Sequence, residues 1–215
     1  MTSADALARG LDVLALAPPV ETRVRLLAYL ALIQKWNRVY NLTAIRDPVA
    51  MVTHHLLDSL AVVPHLAEGR ETLTIADVGS GAGLPGIPLA LARPDWQITL
   101  NDRSSKKAAF LRQAKIELAL TNVEVHEADA ASWHPQQRFD CVISRAFSAL
   151  AEFIATCRHL VAPGGVLAAM QGVRRDTAGD APGSGVDCSD VRRLQVPLLD
   201  AERHLVLCRV QEAGA

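Results

Sequence analysis

One stretch constrains this chain more than any other: Ile75-Ala76-Asp77-Val78-Gly79-Ser80-Gly81-Ala82-Gly83-Leu84-Pro85-Gly86. The apolar run from Leu73 to Val78 reads as a buried strand. Glycines at alternate positions then make a sharp turn. Ile87-Pro88-Leu89-Ala90-Leu91-Ala92 continues as a helix, which Arg93-Pro94-Asp95 ends. Glycine is needed where the backbone must approach a ligand closely or adopt positive φ. A strand feeding a helix through such a loop is a cradle for a nucleotide-like ligand. The bland alternative is a tight turn with no ligand, and a single turn rarely needs four glycines.

Two cofactors fit the loop. The frame Gly81-x-Gly83-x-x-Gly86 matches the dinucleotide fingerprint. The frame Gly79-x-Gly81-x-Gly83, preceded by Asp77, matches the cofactor loop of class I methyltransferases. The next strand, Gln97-Ile98-Thr99-Leu100-Asn101-Asp102, ends in an acid that can accept hydrogen bonds from two ribose hydroxyls. NAD and S-adenosylmethionine both carry such a ribose. Loop and acid together therefore specify an adenosine-bearing ligand without choosing between them.

Composition narrows the classes. A chain of 215 residues fits one ordinary domain with an extension. Aromatic residues make up only 4%, which disfavours base-stacking platforms. The formal net charge is −1, so a nucleic-acid contact has to come from a local basic patch. Cys141, Cys157, Cys188 and Cys208 are far apart and form no CxxC pair, which disfavours zinc and thiol-redox chemistry. Cys141 and Cys208 lie in apolar runs and are expected as buried fillers. No signal peptide or long apolar span is visible, so a soluble cytoplasmic protein without membrane contact is expected.

Residues 1–68 read as a helical extension and 69–215 as the cofactor-binding domain. Leu7, Leu11 and Leu14 recur at helical spacing before Pro18-Pro19, which is expected to stop that helix. Leu26, Leu30 and Ile33 form a second stripe. Asp47-Pro48 is a helix start, with Asp as cap and Pro in the first turn. His54 and Asp58 follow at a spacing that places them on one helix face. They read either as a catalytic pair or as polar groups satisfied locally, and no further ligands suggest a metal.

From Leu73 onward strands and helices alternate, which implies a mostly parallel sheet. Ser104 can cap a helix carrying Lys106, Lys107, Arg112 and Lys115, whose basic face either meets RNA phosphates or is merely solvated. Backbone near Ala128-Asp129-Ala130-Ala131 can bracket an adenine. Arg145 stands at the carboxyl end of the strand Phe139–Ser144, where open α/β sheets bind ligands. Ala162-Pro163-Gly164-Gly165 turns into a strand over Val166–Met170. The stretch Val173–Asp190 reads as a mobile loop with Arg174-Arg175 at its start. Val191–Val196 and His204–Val210 read as an antiparallel hairpin at the sheet edge, an ending found in class I methyltransferases.

The chain resembles the bacterial small-subunit rRNA (guanine-N7) methyltransferases, the glucose-inhibited division B family. The resemblance rests on Lys35-Trp36-Asn37 through Tyr40-Asn41-Leu42-Thr43, on His55-Leu56-Leu57-Asp58-Ser59, and on the glycine stretch through Leu89. Ile143-Ser144-Arg145-Ala146-Phe147, Leu194-Gln195-Val196-Pro197 and Glu202-Arg203-His204-Leu205-Val206 complete it. It implies a Rossmann-like class I fold with a seven-stranded, mostly parallel sheet whose last strand is antiparallel. It implies S-adenosylmethionine as methyl donor and a guanine of 16S rRNA in the small ribosomal subunit, near the decoding site, as acceptor. By this resemblance Gly79, Gly81, Gly83 and Leu84 line the cofactor, Asp102 holds its ribose, and Ala130 and Ala131 meet the adenosine. Arg145 sits at the donor site as the catalytic candidate. A monomer without metal is expected. The chain departs from the family at Gln171, where a lysine is frequent, and in its glycine-rich stretch after Gly172. A nicotinamide-dependent oxidoreductase and a non-catalytic RNA-binding or assembly factor are the competing classes.

Overall fold

A computed structural model describes residues 1–147, 149–172 and 185–210. Its centre is β1 (Thr74–Val78), whose alternate side chains face two cores. Ile75 points to one and Ala76 and Val78 to the other, as the two-residue period of a strand requires. β1 pairs in parallel with β2 (Gln97–Asn101) on one side and with β4 (Phe139–Ser144) on the other. β3 (Val123–His126) extends the sheet beyond β2, and β5 (Val161–Gln171) beyond β4. β7 (His204–Val210) then runs antiparallel between β5 and the edge strand β6 (Val186–Arg193). The strand order is β3-β2-β1-β4-β5-β7-β6, a seven-stranded sheet with one strand reversed.

The first core buries α1 (Ser3–Val13), α2 (Val20–Tyr40), α6 (Gly86–Ala92) and α7 (Ser105–Glu117) against the sheet. Short helices α3 (Pro48–Met51), α4 (Asp58–Leu60) and α5 (Val63–Leu66) join them. The helical extension and the sheet thus share one hydrophobic core, in which Leu7, Leu57, Ile75 and Leu100 take part. α8 (Leu150–Cys157) covers the opposite face with Phe153 and Cys157.

Local chemistry accounts for most element ends. Asp47 accepts the Ala50 amide at 2.7 Å, and Pro48 opens α3. Asn41 closes α2 in the left-handed region at φ 50°. Four expectations are corrected. The first helix ends at Val13, ahead of Pro18-Pro19, because the chain already turns through Ala15 at φ 53°; Pro19 instead starts α2. β5 runs straight through Pro163-Gly164-Gly165, absorbing them at a register irregularity opposite Phe139 and Cys141. The hairpin begins at Val186, so Val186–Asp190 is strand although its polar composition reads as loop. That earlier start sets Cys188 beside Cys208, and the two form a disulfide, so Cys208 is not a simple filler. Cys141 and Cys157 are buried thiols, and burial pushes both up to about 12. The remainder of the expected mobile loop, residues 173–184 with Arg174-Arg175, lies outside the described residues.

Candidate functional site

The glycine stretch joins β1 to α6 at the carboxyl edge of the sheet. Gly79 turns the chain at φ 70°, and a Cβ there would stand 2.7 Å from the Ala146 methyl. The loop is then laced to β2. The Ser80 amide donates to the Asn101 carbonyl at 3.0 Å, and the Gly81 amide donates to Asp102 Oδ2 at 2.9 Å. Ser80's carbonyl accepts the amides of Gly83 and Leu84 at 2.8 and 3.1 Å. From α2, the buried Tyr29 hydroxyl donates to the Ala82 carbonyl, and burial raises its pKa well above the usual phenol value.

Two acids flank the loop in different environments. Asp77 is fully buried inside it: Oδ2 accepts the Gly86 amide at 2.9 Å, while buried Oδ1 has no hydrogen-bond partner. Gly86 has to be glycine, because a Cβ would overlap Leu100 and sit 2.8 Å from Asp77 Oδ2. Loss of hydration is the largest influence on Asp77 and raises its carboxyl to about 6, against the lowering effects of Gly86, Ser80 and Arg145. Asp102, just past β2, uses both oxygens: Oδ2 takes Gly81 and Oδ1 takes the Ser104 amide at 2.9 Å. Lys107 Nζ lies 3.7 Å from it. Ser104 stands at the N-cap of α7 with no side-chain cap hydrogen bond.

Between Asp102 and the residues that follow β4 opens a cleft of about 500 Å³, within the size range of small-molecule sites. Its walls include Gly79, Asp102, Ala130, Ala131, Ala146 and Phe147. Asp129 also faces it, with Oδ1 holding the Ala131 amide at 2.9 Å. Gly81, Gly83 and Leu84, expected to line the cofactor, do not line this cleft; their amides go to Asp102 and to the Ser80 carbonyl. Arg145 follows β4 but does not line the cleft. Its Nη1 lies 2.8 Å from Asp58 Oδ2 and 3.3 Å from the His54 carbonyl.

That pairing decides the His54–Asp58 question. A π-helical stretch, Val52–Leu57, separates α3 from α4. Its wider turn rotates Asp58 off the face expected from a four-residue spacing. Asp58, buried, instead binds Arg145 and, through Oδ1, Arg203 Nε at 3.0 Å. Sequence reading missed this cluster, although all three residues stand in the motifs that carried the resemblance. His55 is buried too, with Nε2 3.0 Å from Thr43 Oγ1, and desolvation pulls its pKa down to about 4. It is a neutral structural group. Among the described residues no group of three or more His, Cys, Asp or Glu side chains could hold a metal ion.

The sequence profile described as GidB, rRNA small subunit methyltransferase G, matches residues 23–206. The chain belongs to this family. A ribosomal RNA small subunit methyltransferase G of Burkholderia thailandensis is 50% identical, over 96% of this chain and 91% of that one. Its Burkholderia multivorans counterpart is 51% identical over 89% and 85%. Among solved structures, an S-adenosylmethionine-dependent methyltransferase from Aquifex aeolicus superposes with a TM-score of 0.61 at 17% identity, covering 79% of this chain and 97% of its own. The DhpI–SAH complex superposes with a TM-score of 0.55 at 18% identity, covering 88% and 97%. These structural likenesses establish the Rossmann-like methyltransferase fold. The family membership makes the chain an S-adenosylmethionine-dependent rRNA methyltransferase rather than an oxidoreductase.

The residues present fit that cofactor. The acid at the end of β2 suits a ribose diol, the methyl-free floor at Gly79 admits a ligand against backbone, and the cleft is large enough.

Proposed function

We propose that this enzyme methylates N7 of one guanine in 16S rRNA, near the decoding site, within the small ribosomal subunit. The observation that carries this reading is the family match across residues 23–206, which spans the loop, the cleft and the Asp58 cluster together. In it Asp102 holds the cofactor ribose, Gly79, Gly81, Gly83 and Leu84 shape the loop, and Ala130 and Ala131 border the adenine. Arg145, held by Asp58 next to the cleft residue Ala146, sets the geometry of the donor end from outside the cleft. Residues 1–68 form a helical part that sits beside the methyl-transfer domain of residues 69–215. The chain works as a monomer in the cytoplasm, where assembling ribosomes are found. No helix among the described residues is long and apolar enough to cross a membrane.

S-adenosylmethionine supplies a methyl group on a positively charged sulfur. Guanine N7 carries a free lone pair, so no side chain has to remove a proton. The work left to the protein is alignment, which can be worth several kcal/mol. This agrees with a site in which His54 meets Arg145 through its backbone carbonyl. An arginine can recognise guanine O6, but one that occupied N7 would block the reaction. The test is transfer of labelled methyl to undermethylated small subunits, with the modified base mapped. Incorporation at one guanine, lost on chemical cleavage specific for N7-methylguanine, is expected. Binding to subunits without incorporation would refute the reading in favour of an assembly factor.

A further inference from the structure

We propose that Arg203, set beside Arg145 by the buried Asp58 carboxylate, binds a phosphodiester of the RNA strand flanking the target guanine, with Asp58 as the positioning residue. This rests on the rRNA-methylating reading above and adds a contact to it. The geometry begins with charge. One carboxylate, 5% exposed, carries a guanidinium on each oxygen, at 2.8 Å for Arg145 and 3.0 Å for Arg203. Asp58 can neutralise only one of the two guanidiniums; Arg145 also feels the fully buried Asp77, whereas among the described residues Arg203 pairs with no acid but Asp58. A partly exposed guanidinium that shares its carboxylate with a second one keeps charge and donors available for a further anion.

Position supplies the second part. β7 runs antiparallel, so its start, with Arg203 just ahead of His204, lies at the same carboxyl edge as Arg145. His204 pairs with Gln171 at the end of β5, and its Nδ1 lies 3.1 Å from the Gly172 carbonyl. Strand order puts β7 four spacings from β2, about 19 Å at 4.8 Å per spacing. Arg203 is therefore far from the ribose acid Asp102. It is on the side where the cleft ends at Ala146 and Phe147. A polynucleotide delivering a base to that end from the β5–β7 side runs its backbone past Arg145 and Arg203.

The third part is chemistry. Arg203 commits Nε to Asp58 and Nη1 to the Glu202 carbonyl at 2.9 Å, which fixes the plane of its fork. About a quarter of each arginine side chain is exposed, 27% for Arg145 and 24% for Arg203. A planar guanidinium fixed by a carboxylate and a carbonyl, and still a quarter exposed, suits a phosphate oxygen.

Replacing Arg203 tests this. Binding of undermethylated small subunits to wild type, Arg203→Gln and Arg203→Lys is measured by filter retention across a salt series. Each lost phosphate contact makes the slope of log K against log salt shallower by about 0.7 to 0.9. Arg203→Gln is expected to show that change, and Arg203→Lys to restore the wild-type slope. Asp58→Asn is expected to resemble Arg203→Gln. Affinity of Arg203→Gln for S-adenosylhomocysteine, read alongside, is expected to stay at the wild-type value, and Arg203→Lys, which keeps a cation beside Asp58, controls for stability lost with the ion pair. A wild-type slope in Arg203→Gln, or a loss not rescued by lysine, would overturn the phosphate contact while leaving the methyltransferase reading intact. Failure of the wild type to methylate subunits would overturn both.

Discussion

Asp77 offers a prediction whose size follows from its burial. The carboxyl is fully buried, keeps one oxygen unpartnered, and has its pKa raised from 3.8 to about 6. In the folded chain it binds its proton more tightly than in the unfolded chain. Its contribution to stability is therefore fully present below about pH 4 and is lost as pH rises through 6. A carboxyl displaced that far is worth about 3 kcal/mol, roughly half of it lost between pH 5 and 8. Asp77→Asn keeps an acceptor for Gly86 and cannot ionise, so the stability of the variant relative to wild type should climb with pH. With a urea m-value of about 2.5 kcal/mol/M, the variant's unfolding midpoint should gain about 0.5 M on that of wild type from pH 5 to pH 8. Taking the difference between the two chains cancels every other titrating group. A difference that stays constant over this range would show that Asp77 ionises normally, and that water or a nearby cation reaches it.

His55 works in the opposite direction. Its folded pKa is depressed to about 4, so its contribution is present above pH 6.5 and is lost as pH falls towards 4; His55→Gln should remove about 3 kcal/mol of acid sensitivity in urea titrations at pH 4 to 7. The Cys188–Cys208 disulfide closes a separation of 20 residues. Cys188→Ser should destabilise the oxidised chain by about 3 kcal/mol and leave the reduced chain unchanged, as read by melting with and without dithiothreitol. Gly79→Ala meets both positive φ and the Ala146 methyl, and should cost about 1–3 kcal/mol by calorimetry while narrowing the cleft.

What the sequence made legible was local. The strand, the glycine turn and the acid ending the next strand lie within about thirty residues, and each is dictated by backbone chemistry. Asp47-Pro48 announced a helix start for the same reason. What stayed hidden depended on distance or on competing patterns. Arg203 and Asp58 are 145 residues apart, and nothing in their spacing announces that they meet. The π-helical turn at Val52–Leu57 breaks the periodicity that made His54 and Asp58 look like partners. Val186-Asp187-Cys188-Ser189-Asp190 has loop composition, yet it forms an edge strand because one partner, β7, supplies its hydrogen bonds and solvent accepts its polar side chains. The disulfide followed from that register and was invisible without it.

Asp102 shows how one local motif can carry two duties, and how they separate experimentally. Both of its oxygens hold backbone amides, Gly81 of the loop and Ser104 ahead of α7. The same carboxylate is the proposed acceptor for the ribose. Hydrogen bonds to a charged group contribute roughly 1.5–3 kcal/mol each, so Asp102→Ala should destabilise the cofactor-free chain by about 3 kcal/mol. A ligand that binds only the folded state stabilises it by RT ln(1 + [L]/Kd), so weaker binding also shrinks the melting shift caused by S-adenosylhomocysteine. Both changes are expected in Asp102→Ala, with affinity down by about tenfold or more, the loss of one or two charge-assisted bonds. A lower melting point with an undiminished ligand shift would make Asp102 an anchor of the loop and nothing more. An unchanged melting point with a lost ligand shift would mean that Gly81 and Ser104 find other acceptors, and that the loop holds its shape without the acid.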